Sequence, residues 1–257
     1  MSRIFITGSA DGLGKMAAQK LIREGHKLVL HARNEQRRKD ISGEIPGAEA
    51  VFVADLSGIK ATINLAGEVN KSGKFDAVIH NAAIGYRESN KILTEDGLPE
   101  VFAINSLAPY ILTALIERPA RLIYISSGLN RQGDGRLDDL LWEKRRWNGY
   151  QAYSDSKLHN LTFAQLLARR WSNVYVNSVD PGWVATKMGG KNAPDNLEKG
   201  YDTQCWLAIS NDKQALQSGQ HFYHRIAKAF NPIAADKEAQ DLLLEKYTII
   251  SGINLSL

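Results

Sequence analysis

Short apolar runs alternate with longer amphipathic stretches along nearly the whole chain. The apolar runs predict strands near residues 3–6, 27–32, 50–54, 75–80, 121–126 and 173–178, with 220–223 as a further candidate. Between them, apolar residues recur at helical spacing. Helices are expected near 12–24, 34–43, 57–71, 97–117, 150–171, 199–209 and 236–247. Strict strand–helix alternation calls for a parallel sheet covered by helices on both faces. Right-handed crossovers then give an α/β, Rossmann-type, doubly wound arrangement. No linker-like stretch or internal repeat interrupts it, so residues 1–257 are expected to form a single domain. Two segments leave the rhythm. Residues 128–149 are long and polar, and 188–196 are rich in Gly, Asn and Pro. In an open α/β sheet both would emerge beyond the carboxyl ends of strands, where ligands bind.

The first strand runs into Thr7-Gly8-Ser9-Ala10-Asp11-Gly12-Leu13-Gly14, and Leu13, Ala17 and Leu21 then mark a helix. Strand, glycine turn and helix start together form a phosphate site. The missing side chains let the backbone approach a pyrophosphate, and the positive end of the helix dipole faces it. Downstream, Tyr153 and Lys157 stand four residues apart, on one helical face. A fixed ammonium beside a phenol favours the phenolate, and a phenol of lowered pKa can exchange a proton with a substrate oxygen.

Gly-x-x-x-Gly-x-Gly followed by Tyr-x-x-x-Lys resembles the short-chain dehydrogenase/reductase family over essentially the whole chain. The resemblance implies a catalytic set of Asn105, Ser127, Tyr153 and Lys157. Ser126 competes with Ser127 for the serine position. Asn105 would hold a water near Lys157. Lys157 would bind the nicotinamide ribose and lower the pKa of Tyr153. The resemblance also implies cofactor contacts. In the turn they come from Gly8, Ser9, Asp11, Gly12, Leu13 and Gly14. Beyond it they come from Arg33, from Asp55 and Leu56, and from Asn81, Ala82 and Ala83. Tyr153 and Lys157 join them, with Pro181, Gly182, Val184 and Thr186 last. Asp55 has an equally physical role as a helix N-cap. Asn81-Ala82-Ala83 departs from the family's Asn-Asn-Ala-Gly, with His80 for the first Asn and Ala83 for the Gly. The long gap between Ser127 and Tyr153 resembles the retinol-dehydrogenase-like branch.

The second strand ends at Arg33, where an acidic residue would favour NAD(H). A guanidinium fork suits a 2′-phosphate instead, so NADP(H) is expected in preference to NAD(H), unless Arg33 merely projects into water. The expected reaction is hydride transfer between nicotinamide and a small apolar or aromatic carbonyl compound or alcohol. Loops near 85–95, 128–149 and 183–231 would wall the substrate, with Tyr86, Trp142, Trp147, Trp183, Met188, Tyr201 and Trp206 among them. The alternative is a catalytically silent NADP(H)-binding redox sensor. A sugar-nucleotide epimerase or dehydratase fits less well, because the chain is short for that substrate region.

Composition narrows the surroundings. With 32 basic and 28 acidic residues the net charge is +4, and the basic clusters lack the aromatic interleaving of a nucleic-acid surface. No apolar stretch is long enough to span a bilayer, and with the first strand expected from residue 3 no signal peptide is expected before it. The single cysteine, Cys205, excludes an internal disulfide but leaves one between chains open, and a cytoplasmic setting is the natural expectation. No metal is expected. The family's dimers and tetramers often use the helix corresponding to 150–171. Leu161, Ala164, Leu167 and Ala168 would serve either such a homo-oligomer or packing within one chain.

Overall fold

Strands covered on both faces need apolar side chains at consecutive positions, and Ile4, Phe5 and Ile6 are all fully buried. The computed structural model, which describes residues 1–86 and 88–256, places them in β1 (Arg3–Ile6). The other strands are β2 (Lys27–Ala32), β3 (Ala50–Val53), β4 (Ala77–His80), β5 (Arg121–Ile125), β6 (Tyr175–Asp180), β7 (His221–Tyr223) and β8 (Ile226–Ala227). They form one sheet in the order β3-β2-β1-β4-β5-β6-β7-β8. Pairing is parallel throughout, except for β7 with β8. The strand order reverses between β1 and β4, which opens a crevice at their carboxyl ends.

The helices are α1 (Gly12–Arg23), α2 (Glu35–Glu44), α3 (Ile59–Lys71), α4 (Glu100–Phe102), α5 (Ala108–Leu115), α6 (Gly149–Arg170), α7 (Leu197–Ile209) and α8 (Lys237–Ser251). Alternate residues of each strand face opposite cores. Ile4 and Ile6 join Leu21 of α1, Ile41 of α2 and Leu207 of α7 in one core. Phe5 joins Leu65 of α3, Leu112 of α5, Leu167 of α6 and Tyr247 of α8 in the other. The doubly wound expectation therefore holds.

Three local differences have physical causes. The helix expected over 97–117 is split by a π-helical turn, Ala103–Leu107, in which the Ala108 N–H reaches the Ala103 carbonyl. Pro109 has no N–H to offer the Asn105 carbonyl one turn back, so the regular α ladder cannot continue there. The hairpin to β8 was not expected. Its turn residues His224 and Arg225 both have positive φ without a glycine. Residues 128–149 form a packed excursion with two short 3₁₀ turns, Gly128–Gln132 and Leu137–Asp139.

Helix α6 is covered within the chain. Leu161, Ala164 and Leu167 are buried, and Ala168 packs against the same core. Helix α8 and the 232–235 turn lie over it. Cys205 is also buried, so its thiol is out of reach of another chain. No helix among the described residues is long and apolar enough to cross a membrane.

Candidate active site

The crevice at the strand reversal is a cleft of about 380 Å³. The glycine turn forms one end. Asp11 caps α1, its Oδ1 accepting from the Gly12 N–H at 2.8 Å, and its other oxygen pairs with Lys187 at 2.8 Å. The β1 turn is pinned to the end of β4. Thr7 Oγ1 accepts from the N–H groups of Asn81 and Ala82, each at 3.0 Å, and Asn81 Nδ2 donates to the Thr7 carbonyl at 3.0 Å and to the Gly8 carbonyl at 3.1 Å.

Fourteen of the residues expected at the site line this cleft: Gly8, Asp11, Gly12, Leu13, Arg33, Asp55, Leu56, Asn81, Ala82, Ala83, Tyr153, Lys157, Pro181 and Thr186. Others lie behind the wall. Ser9 is fully buried, with its hydroxyl between the carbonyls of Ile6 and His31, so it joins β1 to β2 and does not face the cleft. Gly14 packs against Asn81, Val184 is buried beside Gly200, and the Gly182 N–H bonds Asp180. Asp55 is not the cap of α3. That position is Gly58, and the Asp55 carboxylate accepts from the Ser57 N–H at 3.0 Å. Ala83 is not among the described residues with positive φ, so alanine sits there without backbone strain. His80, in place of the family's Asn, stacks under the sheet on Tyr124 and meets the Thr113 hydroxyl at 3.0 Å.

His31 was not expected at the site. Its Nδ1 accepts from the Gly8 N–H at 3.0 Å, and its Nε2 donates to the Ala54 carbonyl at 2.9 Å. Burial lowers its pKa to about 4, so the neutral ring holds the glycine turn against the end of β3. No sequence signal marks this role. Met188 also lines the cleft, with its sulfur 3.9 Å from the Tyr153 hydroxyl.

At the inner end, the two serines after β5 separate by partner. The Ser126 hydroxyl donates to the Lys157 carbonyl at 2.9 Å, which fastens β5 to α6. Ser127 is not among the residues that line the cleft; its hydroxyl accepts from the Leu129 N–H at 3.2 Å and interacts with the Tyr153 side chain. Lys157 is buried. Its Nζ donates to the Ile125 carbonyl at 3.0 Å and lies 5.3 Å from the centre of the Tyr153 ring. Asn105, in the π turn, accepts from the Ile84 N–H at 2.8 Å and donates to the Ile84 carbonyl and the Ser156 hydroxyl, each at 3.1 Å. It clamps the cleft wall to α6, and both of its amide hydrogens are engaged.

Electrostatics in the unliganded protein run opposite to the expectation from spacing. Burial raises the Tyr153 pKa, with Ser127 opposing it, and burial lowers that of Lys157 to about 7. Desolvation is the largest influence on Tyr153 and the one named influence on Lys157. A consequence for stability follows. The unfolded lysine keeps its proton up to about 10.4, whereas the folded one loses it near 7. Between those values the unfolded state binds more protons, so wild-type stability gains with rising pH. The unfolding free energy of the wild type should rise relative to Lys157→Met between about pH 7 and pH 10 in urea titrations. A pH-independent difference would contradict the buried, proton-poor amine.

The aromatic walls were partly misplaced by the sequence. Trp142 and Trp147 pack edge-to-face at 5.2 Å, against Val101 and Ala152, and hold the 128–149 excursion to α6. Trp206 is buried on Phe222, and Tyr201 packs against the same core. Tyr86 stays near the chemistry, 5.5 Å from Tyr153 ring to ring. Trp183 is exposed. Residue 87 of the 85–95 loop lies outside the described residues.

Comparison with known proteins agrees with this geometry. Residues 8–208 match the family described as enoyl-(acyl carrier protein) reductase. An uncharacterized oxidoreductase of Emericella nidulans is 42% identical over 99% of both chains. The short-chain dehydrogenase chyC of Penicillium rubens is 39% identical over 99% of both. Human retinol dehydrogenase 13 is 30% identical over 97% of this chain and 84% of its own. A solved structure from Mycobacterium paratuberculosis superposes with a TM-score of 0.85 at 24% identity, over 100% of this chain and 96% of that one. The chain belongs to the short-chain dehydrogenase/reductase family of oxidoreductases, with kinship reaching its retinol-dehydrogenase-like branch.

Proposed function

We propose that this protein moves a hydride between NADP(H) and a small apolar or aromatic carbonyl compound or alcohol, with Tyr153 as general acid and base. The observation that carries the reading is the inner end of the cleft, which Tyr153 and Lys157 line together, with the Lys157 amine 5.3 Å from the centre of the Tyr153 ring. The residues fit a dinucleotide. A side chain at Gly8 would strike Ala82, so the turn is built for a bare backbone, and the start of α1 faces the cleft there. Arg33 lines the same cleft, is exposed, and pairs with no carboxylate of the described residues, which leaves its fork for a 2′-phosphate. Arg37 stands nearby, 3.6 Å from Asp11.

When bound, the nicotinamide supplies or accepts the hydride. Tyr153 gives its proton to the carbonyl oxygen in reduction and takes it back in oxidation. Ser127 donates a hydrogen bond to the same oxygen and orients it. Lys157 holds the ribose and, once charged, stabilises the phenolate. Asn105 keeps the Ile84 wall and α6 in register. Ile84, Ile104 and Met188 give the cleft an apolar lining, which suits an apolar or aromatic substrate. A silent redox sensor has no need of this proton-transfer set.

Cofactor choice is tested by Arg33→Ala. Losing charge-assisted bonds worth about 1.5–3 kcal/mol should raise the KM for NADPH about 10- to 100-fold and leave that for NADH nearly unchanged. Wild-type preference for NADH in steady-state turnover would overturn the NADP(H) assignment.

A further inference from the structure

Tyr150 lies three residues before Tyr153 in α6, so the two phenols share one helix face. Tyr86, in the segment after β4, meets both rings at steep angles, its centroid 5.5 Å from that of Tyr153 and 6.2 Å from that of Tyr150. Exposure rises along this run. Tyr153 is 7% exposed, Tyr86 is half-buried and Tyr150 is 41% exposed, so three rings reach from the catalytic phenol to solvent. Neither Tyr86 nor Tyr150 lines the dinucleotide cleft.

The run is held in place. Trp147 Nε1 donates to the Glu88 carbonyl at 3.1 Å, and a Cβ on Gly149 would strike the same carbonyl, so the start of α6 packs directly on the 85–95 segment. The Tyr150 hydroxyl donates to Gln132 Oε1 at 3.0 Å, and Gln151 Nε2 donates to the Gln132 carbonyl at 2.7 Å. An exposed ring fixed at its polar tip keeps its apolar body available, and fixing it beforehand lowers the ordering cost of binding. Met188, from the segment after β6, brings its sulfur to 3.9 Å from the Tyr153 hydroxyl.

We propose that Tyr86 and Tyr150 form a specificity subsite that selects substrates with a planar aromatic ring on the reacting carbon over those with a saturated ring of the same size. The inference deepens the hydride-transfer reading and rests on it. The cofactor fills the cleft, so a substrate must reach Tyr153 from a side the dinucleotide does not occupy. An aromatic ring one bond from the carbonyl carbon stays close to the carbonyl oxygen. With that oxygen at the Tyr153 hydroxyl, the ring falls among Tyr86, Tyr150 and Met188. Edge-to-face and offset contacts with the two tyrosines favour a π system, whereas a saturated ring gains only burial. The Met188 thioether adds a sulfur–ring contact that a saturated ring also lacks.

The test compares acetophenone with cyclohexyl methyl ketone, which share the carbonyl and the ring size. For each ketone, kcat/KM is measured with NADPH, and affinity is measured with NADP⁺ by saturation-transfer NMR titration, where no turnover occurs. Tyr150→Leu and Tyr86→Leu keep apolar bulk and remove the ring. Each should lower the acetophenone-to-cyclohexyl ratio about two- to tenfold in both readouts, the worth of one aromatic pair. Tyr150→Phe keeps the ring and should keep the ratio. Tyr175→Leu makes the same change at an exposed tyrosine that begins β6, at the end of the strand away from the cleft, and should leave the ratio unmoved. An unmoved affinity ratio in either leucine variant of the run overturns the proposal, as does an equal fall in Tyr150→Phe or Tyr175→Leu. Wild type that binds neither ketone overturns it too. Failure of the hydride-transfer reading looks different, because the affinity ratio would still fall in the leucine variants while neither ketone consumes NADPH.

Discussion

Tyr153→Phe is expected to lower kcat about 10²- to 10⁴-fold, the usual worth of a positioned general acid. Affinity for NADPH should stay close to that of the wild type. Phenylalanine keeps the ring that meets Tyr86 edge-on and lies beside Lys157, so the cleft wall remains. Only the hydroxyl is lost, and with it its interactions with Ser127 and the Met188 sulfur. The contrast between a lost kcat and a kept affinity separates proton transfer from binding. Steady-state NADPH consumption and fluorescence titration measure the two. Near-wild-type turnover would remove Tyr153 from the acid-base role.

The second large effect is on stability. Gly8 has φ +63°, and a Cβ there would sit 2.7 Å from Ala82 Cα, a backbone atom of the β4 end. Left-handed backbone costs an alanine about 1–2 kcal/mol, and overpacking adds about 1–3. Gly8→Ala should therefore lose about 2–5 kcal/mol of unfolding free energy in urea and bind cofactor poorly. Gly25 supplies the control. Its φ is +82°, but nothing lies within 4 Å of an added Cβ. Gly25→Ala should lose only the first contribution, about 1–2 kcal/mol. Equal losses at the two positions would show that the approach of β1 to β4 is looser than drawn.

The parts of the fold that the sequence announces are those whose cause is local. Ile4–Ile6 is apolar on both faces because both faces are covered, and the glycine turn follows at once. Tyr153 and Lys157 share a helix face by spacing alone. What stayed hidden depends on distant partners. The β7–β8 turn has no glycine. Arg225 is held there by Asp202, at 2.5 and 2.7 Å, and its N–H donates to the Thr203 hydroxyl at 3.0 Å. The role of His31 lies in bonds to the Gly8 N–H and the Ala54 carbonyl, some twenty residues away on either side. Trp142 and Trp206 illustrate another limit. An aromatic residue in a loop or helix is apolar whichever way it turns, and both turn inward. Spacing also shows that a charge is near Tyr153, whereas burial decides which way the pKa moves. Serine 9 sits inside the glycine motif, yet its hydroxyl is spent on the β1–β2 junction.

The central claim is hydride transfer to a carbonyl carbon, and isotope transfer tests it most directly. Wild-type protein would be incubated with NADPH deuterated at the nicotinamide C4 and a panel of aldehydes, ketones and quinones, with Tyr153→Phe in parallel. Product alcohol carrying deuterium on the former carbonyl carbon is expected with the wild type, and almost none with the variant. Tight NADPH binding with no deuterium delivered to any member of the panel would contradict it and favour a cofactor-sensing protein.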